Sequence, residues 1–349
     1  MLSKKLISLI KKNITIIDDS REIPSEVIDE LVNENYFRLL LPKTYGGLEI
    51  NFLEYLEIVT EVASYDASLA WCINQSNVLA TNAAFMDKVL AEKIFSDKNT
   101  IISNGPPEFF EVKDNSDGIV VSGKWSFSSG IKNSNWVLAI YTDKNKENKN
   151  IMMPVNEVIM EDVWNVNGLR GTGSFSFSVK DKFIKNENIF YDRKNLKEKG
   201  PIYKIPRDLK FASGFSTIAL SLANSGYKTI TFDFLGHGRH FEAYSGNIVD
   251  ETGATKLFVK QTKDLIDYFL DKNNSDNKIS FNRLVGAAHW SPGNLPENCE
   301  NGLRETIHWT PPQLSPPNNK DQINGSLAYG FVFDAVSYTH LTLPTKRIV

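Results

Sequence analysis

One stretch of the sequence combines side chains that could hold a flat ring with a polar edge. Residues 121–130 read VSGKWSFSSG, which joins a strand pattern to an aromatic side chain, several hydroxyls and a glycine. A flavin needs an apolar wall for its ring and hydrogen-bond partners for its N5 and carbonyl edge, and such a strand supplies both. A hairpin with a tryptophan in its core has the same spacing, so the pattern alone leaves both interpretations open.

The residues before this stretch are predicted to form helices. Pro24 precedes an apolar stripe at helical spacing, formed by Val27, Ile28, Leu31 and Val32. Asn51, followed by Glu54, resembles a capping pair at the start of another helix. Further helices are predicted over residues 67–82 and 86–95. We therefore expect an all-helical domain over the first hundred residues.

From about Ile101 the apolar period changes to two, which indicates strands. Strand-like runs cover Ile119–Ser122 and Trp136–Tyr141. In the clearest run, Ser174–Val179, the apolar residues alternate with serines. The predicted fold class is therefore α+β, an N-terminal all-helical domain followed by an antiparallel β-sandwich or barrel domain that ends near Phe190.

The composition is that of an ordinary globular protein. The 349 residues are 41% hydrophobic and 23% charged, and the net charge is −3, which excludes a disordered chain and gives no reason to expect nucleic acid as a partner. The two cysteines, Cys72 and Cys299, cannot form a disulfide framework. No apolar run has the length of a membrane span, and no signal peptide is recognisable. We expect a cytoplasmic protein without a membrane partner.

Six short motifs carry a resemblance to the acyl-CoA dehydrogenase superfamily over residues 1–219. In chain order they are REIP (21–24), LPKTYGG (41–47), SLAW (68–71), SGKWSFSSG (122–130), GLRGTGS (168–174) and DKFI (181–184). The sequence resembles most the flavin-dependent monooxygenase branch, which hydroxylates aromatic substrates. The resemblance implies a flavin cofactor, either FAD or a reduced flavin (FMN or FAD), and a small-molecule substrate that is an acyl-CoA or an aromatic compound. It also implies a homo-oligomer and, for the monooxygenase branch, a flavin reductase as partner.

The resemblance also assigns site residues. The cofactor contacts that it implies are Ser103, Asn104, Gly105, Trp125, Ser126, Phe127 and Ser128. Residues 126–128 fall where the family has a Trp-Ile-Thr-like segment against the flavin, which makes Ser128 the hydroxyl near N5. Residues 103–105 fall on the preceding flavin loop, although the family's usual Thr-Glu-Pro pattern is absent there.

A tryptophan and a glycine-rich loop each allow two interpretations. Trp71 could line a substrate cavity, but a tryptophan beside Leu69 and Ile73 on a helix also fits a core. The Gly168–Ser174 loop could be an anion-binding nest or a structural turn before the next strand.

The resemblance stops near residue 219. In the family, a C-terminal four-helix domain follows, supplies the catalytic base and completes the flavin site. Residues 193–219 look like its opening and no further bundle follows, so no catalytic residue and no metal ligand are assigned. The predicted domains are 1–100 (helical), 101–192 (β), 193–219 (start of a truncated helical domain), 220–278, 279–335 and 336–349.

The last three segments resemble other proteins. Residues 220–278 resemble an early strand and loop of an α/β hydrolase, with His237 in a structural loop and no Gly-x-Ser-x-Gly nucleophile motif. Residues 279–335 resemble a piece of the molybdopterin-binding subunit of xanthine and carbon monoxide dehydrogenases, with His289 and His308 as loop residues. Residues 336–349 resemble the translation of a sequencing-library adapter.

Three hypotheses account for this order of segments. The favoured one is a flavoenzyme fragment joined to unrelated pieces, which predicts a poorly soluble, inactive chimera that holds flavin weakly if at all. The others are an enzyme with a divergent C-terminal domain and a natural fusion in which the later segments, hydrolase-related or derived from a molybdenum hydroxylase, form a binding module.

Overall fold

The computed structural model describes residues 2–166 and 168–224. The chain divides into two units, Met1–Ile218 and Ala219–Val349, and of the second the structure describes only the end of one helix. Apart from residues 220–224, the segments that resemble a hydrolase, a molybdoenzyme subunit and an adapter lie outside the described residues.

The described part of the chain begins with helices, as the sequence predicts. They are α1 (Lys4–Ser20), α2 (Ser25–Asn33), α3 (Phe52–Ala63), α4 (Ala67–Ala80) and α5 (Lys88–Phe95). Asn51 caps α3 by accepting a hydrogen bond from the Leu53 N–H at 2.8 Å. Helix α1 is not among the predicted helices, although Ser3 caps it and its buried side chains repeat at helical spacing.

Helix α4 is the central element of the helical domain, because every residue from Ser68 to Ala80 is buried. Polar side chains on such a helix need partners, and they find them in neighbouring segments. The Asn77 side chain donates to the Tyr36 carbonyl at 2.7 Å and accepts from the Leu40 N–H at 3.1 Å. Polar contacts therefore fix α4 against the loop that follows α2.

A buried arginine fixes the turn that the sequence predicts over residues 41–47. The Arg38 guanidinium donates to the carbonyls of Tyr45 and Phe95 at 2.7 and 2.8 Å and to those of Gly46 and Asp97 at 3.1 Å. Burial lowers the pKa of Arg38. One side chain thereby joins the turn to the C-terminal end of α5.

The β domain is a sandwich of two four-stranded sheets. Its strands are β1 (Ile102–Asn104), β2 (Pro107–Asn115), β3 (Gly118–Ser128), β4 (Trp136–Thr142), β5 (Asn148–Pro154), β6 (Ile159–Glu161), β7 (Phe175–Lys185) and β8 (Ile189–Tyr191). The strand orders are β1-β4-β5-β8 and β2-β3-β7-β6. Side chains from β3 and β7 of one sheet pack with side chains from β4 and β5 of the other in one core.

The sheets are antiparallel, as predicted, with one exception among the described strands. Strands β1 and β4 run parallel, with Ile102 opposite Trp136. The β2–β3 hairpin lies between them in the chain and belongs to the other sheet, so the chain returns to β1 in the same direction. The alternation predicted for the start of β7 also holds, but Ser174 and Ser176 are as buried as Phe177 on the opposite face.

Helix α6 (Arg207–Asn224) packs on α4 within the first unit. The Phe215 ring stacks on Trp71 with a centroid distance of 4.1 Å, and the Lys210 ammonium donates to the Thr81 hydroxyl at 3.1 Å. A Cβ at Gly214 would lie 2.3 Å from the Asn74 side-chain nitrogen, so this helix crossing needs a glycine. Across residues 2–166 and 168–224, no helix combines the length and the apolar character that a bilayer crossing demands.

The cap of α4 predicts a pH dependence of stability. Asp66 accepts from the Leu69 N–H at 2.7 Å, yet burial, with repulsion from Asp18, raises the pKa of its carboxyl to about 6. The unfolded value is about 3.9, so the folded state binds more protons between the two values and loses stability as pH rises from about 4 to 6.

Asp66→Asn keeps the capping oxygen without the charge. We expect this variant to be more stable than the wild type at pH 7, by about 1–2 kcal/mol, and equal to it near pH 4. Urea unfolding at both pH values measures the difference. A variant that is less stable at pH 7 would show that the Asp66 charge stabilises the cap.

Candidate functional site

The end of strand β3 carries the stretch that the sequence singled out, and its backbone is irregular. The register between β3 and β7 shifts between Trp125 and Ser128, which marks a β-bulge. Within the bulge Phe127 has a φ of 60°, a strained conformation for a bulky side chain. Its ring meets Trp164 edge-on at a centroid distance of 6.2 Å. The bulge turns consecutive side chains of this strand end in new directions.

Six buried hydroxyls surround this bulge. They belong to Ser126, Ser128, Ser129, Thr172, Ser174 and Ser176, and each residue is at most 4% exposed. Buried hydroxyls need hydrogen-bond partners, because a buried hydroxyl without a partner lowers the stability of the fold by about 1–3 kcal/mol.

Three of the hydroxyls form a chain that begins at a tryptophan. The Trp71 indole N–H donates to Ser129 Oγ at 2.9 Å. Ser129 Oγ lies 2.8 Å from Ser174 Oγ, which lies 2.7 Å from Thr172 Oγ1. Thr172 Oγ1 donates to the Leu169 carbonyl at 2.8 Å. The chain thus crosses from helix α4 to the end of β3 and on to the turn before β7.

The direction of this chain follows from counting hydrogens. A hydroxyl has one hydrogen, and Thr172 gives its own to a carbonyl, so Ser174 must donate to Thr172. Ser129 must then donate to Ser174, which leaves Ser129 to accept from the indole. A donor stands at one end and an acceptor at the other, so every hydroxyl in the chain is satisfied in one arrangement only.

A second group of hydroxyls is tied to a carboxylate. Ser126 Oγ donates to Glu108 and lies 2.8 Å from Ser176 Oγ, which must therefore donate to Ser126. Lys124 Nζ lies 2.8 Å from Glu161 and 3.5 Å from Glu108. Burial lowers the pKa of Lys124, but contacts with these two carboxylates outweigh it and raise the pKa overall. The ammonium therefore stays charged on this face.

The Ser128 hydroxyl differs from the other five. It is fully buried, and among the described residues it has no hydrogen-bond partner. Since the hydroxyl hydrogens of Ser126 and Ser129 are committed to other acceptors, Ser128 is the serine of this strand end whose hydroxyl hydrogen can still be donated to a ligand.

The two tryptophans among the predicted site residues lie in cores. Trp125 is fully buried between the sheets, stacks on Phe177 at 5.3 Å and donates its indole N–H to the Ile140 carbonyl. Its side chain therefore occupies the core position that the sequence left open as the alternative. Trp71 is 3% exposed and packs between Phe215 and the serine chain, which also matches its core alternative.

Residues 103–105 lie beside the same strand end. Ser103 Oγ donates to the Ser129 carbonyl at 2.9 Å, and Gln75 from α4 donates to the Asn104 side chain at 2.5 Å. A Cβ at Gly105 would lie 2.1 Å from the Ser126 carbonyl oxygen, so this close approach needs a glycine. The structure thus brings both predicted cofactor segments together.

The Gly168–Ser174 loop is closed on itself. Thr172 N–H and Gly173 N–H donate to the carbonyls of Leu169 and Arg170, and a Cβ at Gly171 would lie 2.1 Å from the Ile17 side chain. These amides serve the turn and its contact with α1, which agrees with the structural-turn interpretation rather than an anion nest.

The sequence did not identify several residues of this site. Glu108 and Trp164 had no signal in the sequence, whereas Thr172 and Ser174 lie in the Gly168–Ser174 loop, which the sequence indicated only as a turn or a nest. The serines at alternate positions of β7 also gave a signal that one face of this strand is polar. No group of three possible metal-ligating side chains occurs within residues 2–166 and 168–224.

The hydroxyl chain predicts the effect of removing one member. Thr172→Val preserves the shape of the side chain but leaves the Ser174 hydrogen without an acceptor, so we expect a loss of about 1–3 kcal/mol in unfolding free energy. Thr172→Ser keeps the hydroxyl and should lose less than about 1 kcal/mol. Urea unfolding compares the two variants. Equal losses would contradict the chain.

Comparisons with known proteins agree with this architecture. Residues 6–89 match the family of the acyl-CoA dehydrogenase N-terminal domain. The chain is 28% identical over 196 residues to an indole-3-acetate monooxygenase of Acinetobacter baumannii, which covers 54% of this chain and 50% of the relative. It is 28% identical over 225 residues to the flavin-dependent monooxygenase oxygenase subunit HsaA of Mycobacterium tuberculosis, with 60% and 57% covered.

Solved structures show the same fold. The HsaA monooxygenase of M. tuberculosis superposes with a TM-score of 0.59 at 25% identity and covers 64% of this chain and 62% of that one. The chain spans about half to three fifths of the length of the curated relatives it matches. The described part of the chain has the acyl-CoA dehydrogenase-like fold, with N-terminal helices followed by antiparallel sheets, and its relatives are flavin-dependent monooxygenases.

Proposed function

We propose that this chain is built to bind reduced flavin and is an inactive, truncated member of the class of oxygenase components of flavin-dependent monooxygenases, which act on small aromatic substrates. The observation that carries the proposal is the buried Ser128 hydroxyl without a partner, at the end of a bulged strand. By resemblance this hydroxyl lies near flavin N5. A hydroxyl can both donate and accept, which suits a ring nitrogen whose protonation changes with oxidation state.

The neighbouring residues fit a flat ring with a polar edge. Ser128 offers the hydroxyl, Phe127 contributes an aromatic ring turned out by the bulge, and Ser126 carries no bulky side chain that would cover the strand. The segment of residues 103–105 lies beside them. When bound, a reduced flavin supplies the electrons that activate molecular oxygen.

The substrate and partner classes are inferred from relatives. One is named an indole-3-acetate monooxygenase, and another the oxygenase component of a p-hydroxyphenylacetate 3-hydroxylase. A third is named an FADH(2)-dependent resorcinol hydroxylase, oxygenase component. We extend to this chain an aromatic substrate and a separate flavin reductase, and, from its resemblance to the superfamily, a homo-oligomer.

The proposal includes the residues beyond 219. Because these resemble other families, we propose that this chain lacks the helical domain that closes the flavin site and carries the base. It should therefore bind flavin weakly and not turn over. We also propose a cytoplasmic location.

The flavin site predicts the effect of one substitution. Anaerobic titration with reduced FMN and reduced FAD should give weak, saturable binding by the wild-type chain, and Ser128→Ala should weaken it about tenfold, the equivalent of one hydrogen bond. Ser122→Ala, in the middle of the same strand, is the matched control and should bind as the wild type does. No saturable binding by the wild type would contradict the proposed cofactor.

Turnover is tested with the full chain, a flavin reductase, NADH and oxygen. We expect no hydroxylated product from phenols or indoles and no oxidation of acyl-CoA substrates with an electron-accepting dye. A yellow preparation, loaded stoichiometrically with flavin and active, would contradict the expected inactivity and favour a divergent C-terminal domain. Amplification of source DNA across the position of residue 219 tests whether the flavoprotein-like segment and the segment that follows it are encoded together in the source DNA.

A further inference from the structure

The hydrogen-bond chain at the end of β3 begins at a residue that the proposed function leaves unused. Trp71 lies on α4, is buried against Phe215, and has its indole N–H already bonded within the protein. The partner of this N–H is Ser129, the residue directly after Ser128. The position of Trp71 thereby connects the centre of the helical domain to the strand end where a flavin would bond.

We propose that Trp71 is a positioning residue for the flavin strand. Its indole N–H, acting through Ser129, Ser174 and Thr172, fixes the end of β3 so that the Ser128 hydroxyl stays available to a bound flavin. This inference rests on the proposed function and goes beyond it, because it gives a role to a side chain outside the two segments proposed to contact the cofactor.

An indole suits this role because its N–H only donates. A hydroxyl in its place could turn its hydrogen away from Ser129, whereas the indole N–H sets the direction of the bond at this end of the chain. The Leu169 carbonyl, which only accepts, fixes it at the other. With both ends set, every hydroxyl hydrogen of the chain is used within the chain and none is left to donate to Ser128. The chain also strengthens each of its bonds through polarisation.

The Trp71 ring is itself held in place. Phe215 of α6 stacks on it at 4.1 Å. The indole N–H links the fixed ring to Ser129 in the β domain. The Ser129 carbonyl also accepts from Ser103 at 2.9 Å. Ser129 is thus bound through its side chain and its backbone, two residues after the positive φ of Phe127.

The test compares Trp71→Phe with a matched variant on the same core. Trp71→Phe keeps an aromatic ring against Phe215 and removes the N–H donor together with part of the volume of the indole. Tyr55→Phe removes another buried hydrogen bond to α4, the one from the Tyr55 hydroxyl to Asn74, and lies outside the chain of hydroxyls. Both variants should fold with similar losses in denaturant stability.

Flavin binding should separate the two variants. We expect Trp71→Phe to weaken binding of reduced flavin five- to tenfold and to shift the visible absorption bands of bound oxidised flavin, while Tyr55→Phe changes neither. Amide hydrogen exchange should accelerate in Trp71→Phe at residues 128–130 and 169–173 together, although these segments are distant in sequence. This exchange readout needs no flavin.

A double-mutant cycle tests that the effect passes through the chain. Because Trp71 and Ser129 act as one unit, Trp71→Phe with Ser129→Ala should weaken flavin binding no more than the stronger single variant, whereas Trp71→Phe with Tyr55→Phe should be additive. Additive effects of Trp71 and Ser129, or a Trp71→Phe variant with unchanged affinity, spectrum and exchange, would overturn the inference. A wild-type chain that binds no flavin would contradict the proposed function, while the exchange result would still decide whether Trp71 positions the strand end.

Discussion

A buried hydroxyl donates one hydrogen bond and can also accept one. Away from water, both its acceptor and its donor must come from the protein. At the boundary between α4 and the β3–β7 ladder this requirement fixes the local structure. An indole N–H starts the chain of hydroxyls and a carbonyl ends it. A shift of the helix, the strand end or the turn would leave one of these hydroxyls without a hydrogen-bond partner. The site depends on this constraint, because the same bonds that satisfy Ser129 leave Ser128 available.

On its other sides, α4 also fixes its neighbours through hydrogen bonds from polar side chains. A helix buried all round could be apolar throughout, yet α4 carries Asn74, Gln75 and Asn77. Gln75 bonds to the segment of residues 103–105, and Asn77 to the loop after α2. Apolar packing provides most of the stability of such an interior, whereas directional bonds select one arrangement of its neighbours. The end of β3 is therefore positioned by hydrogen bonds to a helix that is itself fixed by several neighbouring segments.

Much of this architecture could be predicted from the sequence. The change of period from helical spacing to alternation near Ile101 marked the transition from helices to strands, and the cap at Asn51 marked the start of α3. The motif order indicated the fold. The parallel pairing of β1 with β4 could not be predicted, because register between distant segments depends on tertiary packing. Helix α1 has a clear apolar spacing in retrospect, at Leu6, Ile10 and Ile17.

The candidate site was predictable in its location but not in its chemistry. The stretch around Ser128 stood out by composition, yet composition cannot tell that Trp125 turns inward and that Ser129 is committed to Trp71. Those assignments depend on a bulge at Phe127, which strand alternation does not foresee. The partners Thr172 and Ser174 come from a loop that the sequence indicated only as a turn or a nest, because hydrogen-bond partners in distant segments leave no mark on local spacing.

A structure of this chain determined with saturating reduced flavin under anaerobic conditions tests the role of Ser128 directly. We expect the polar edge of the ring to lie within hydrogen-bond distance of Ser128 Oγ, with the bonds from Trp71 to Ser129 and on to Thr172 unchanged. A flavin bound elsewhere on the chain, or a ring at this strand end whose edge leaves Ser128 without a bond, would contradict it.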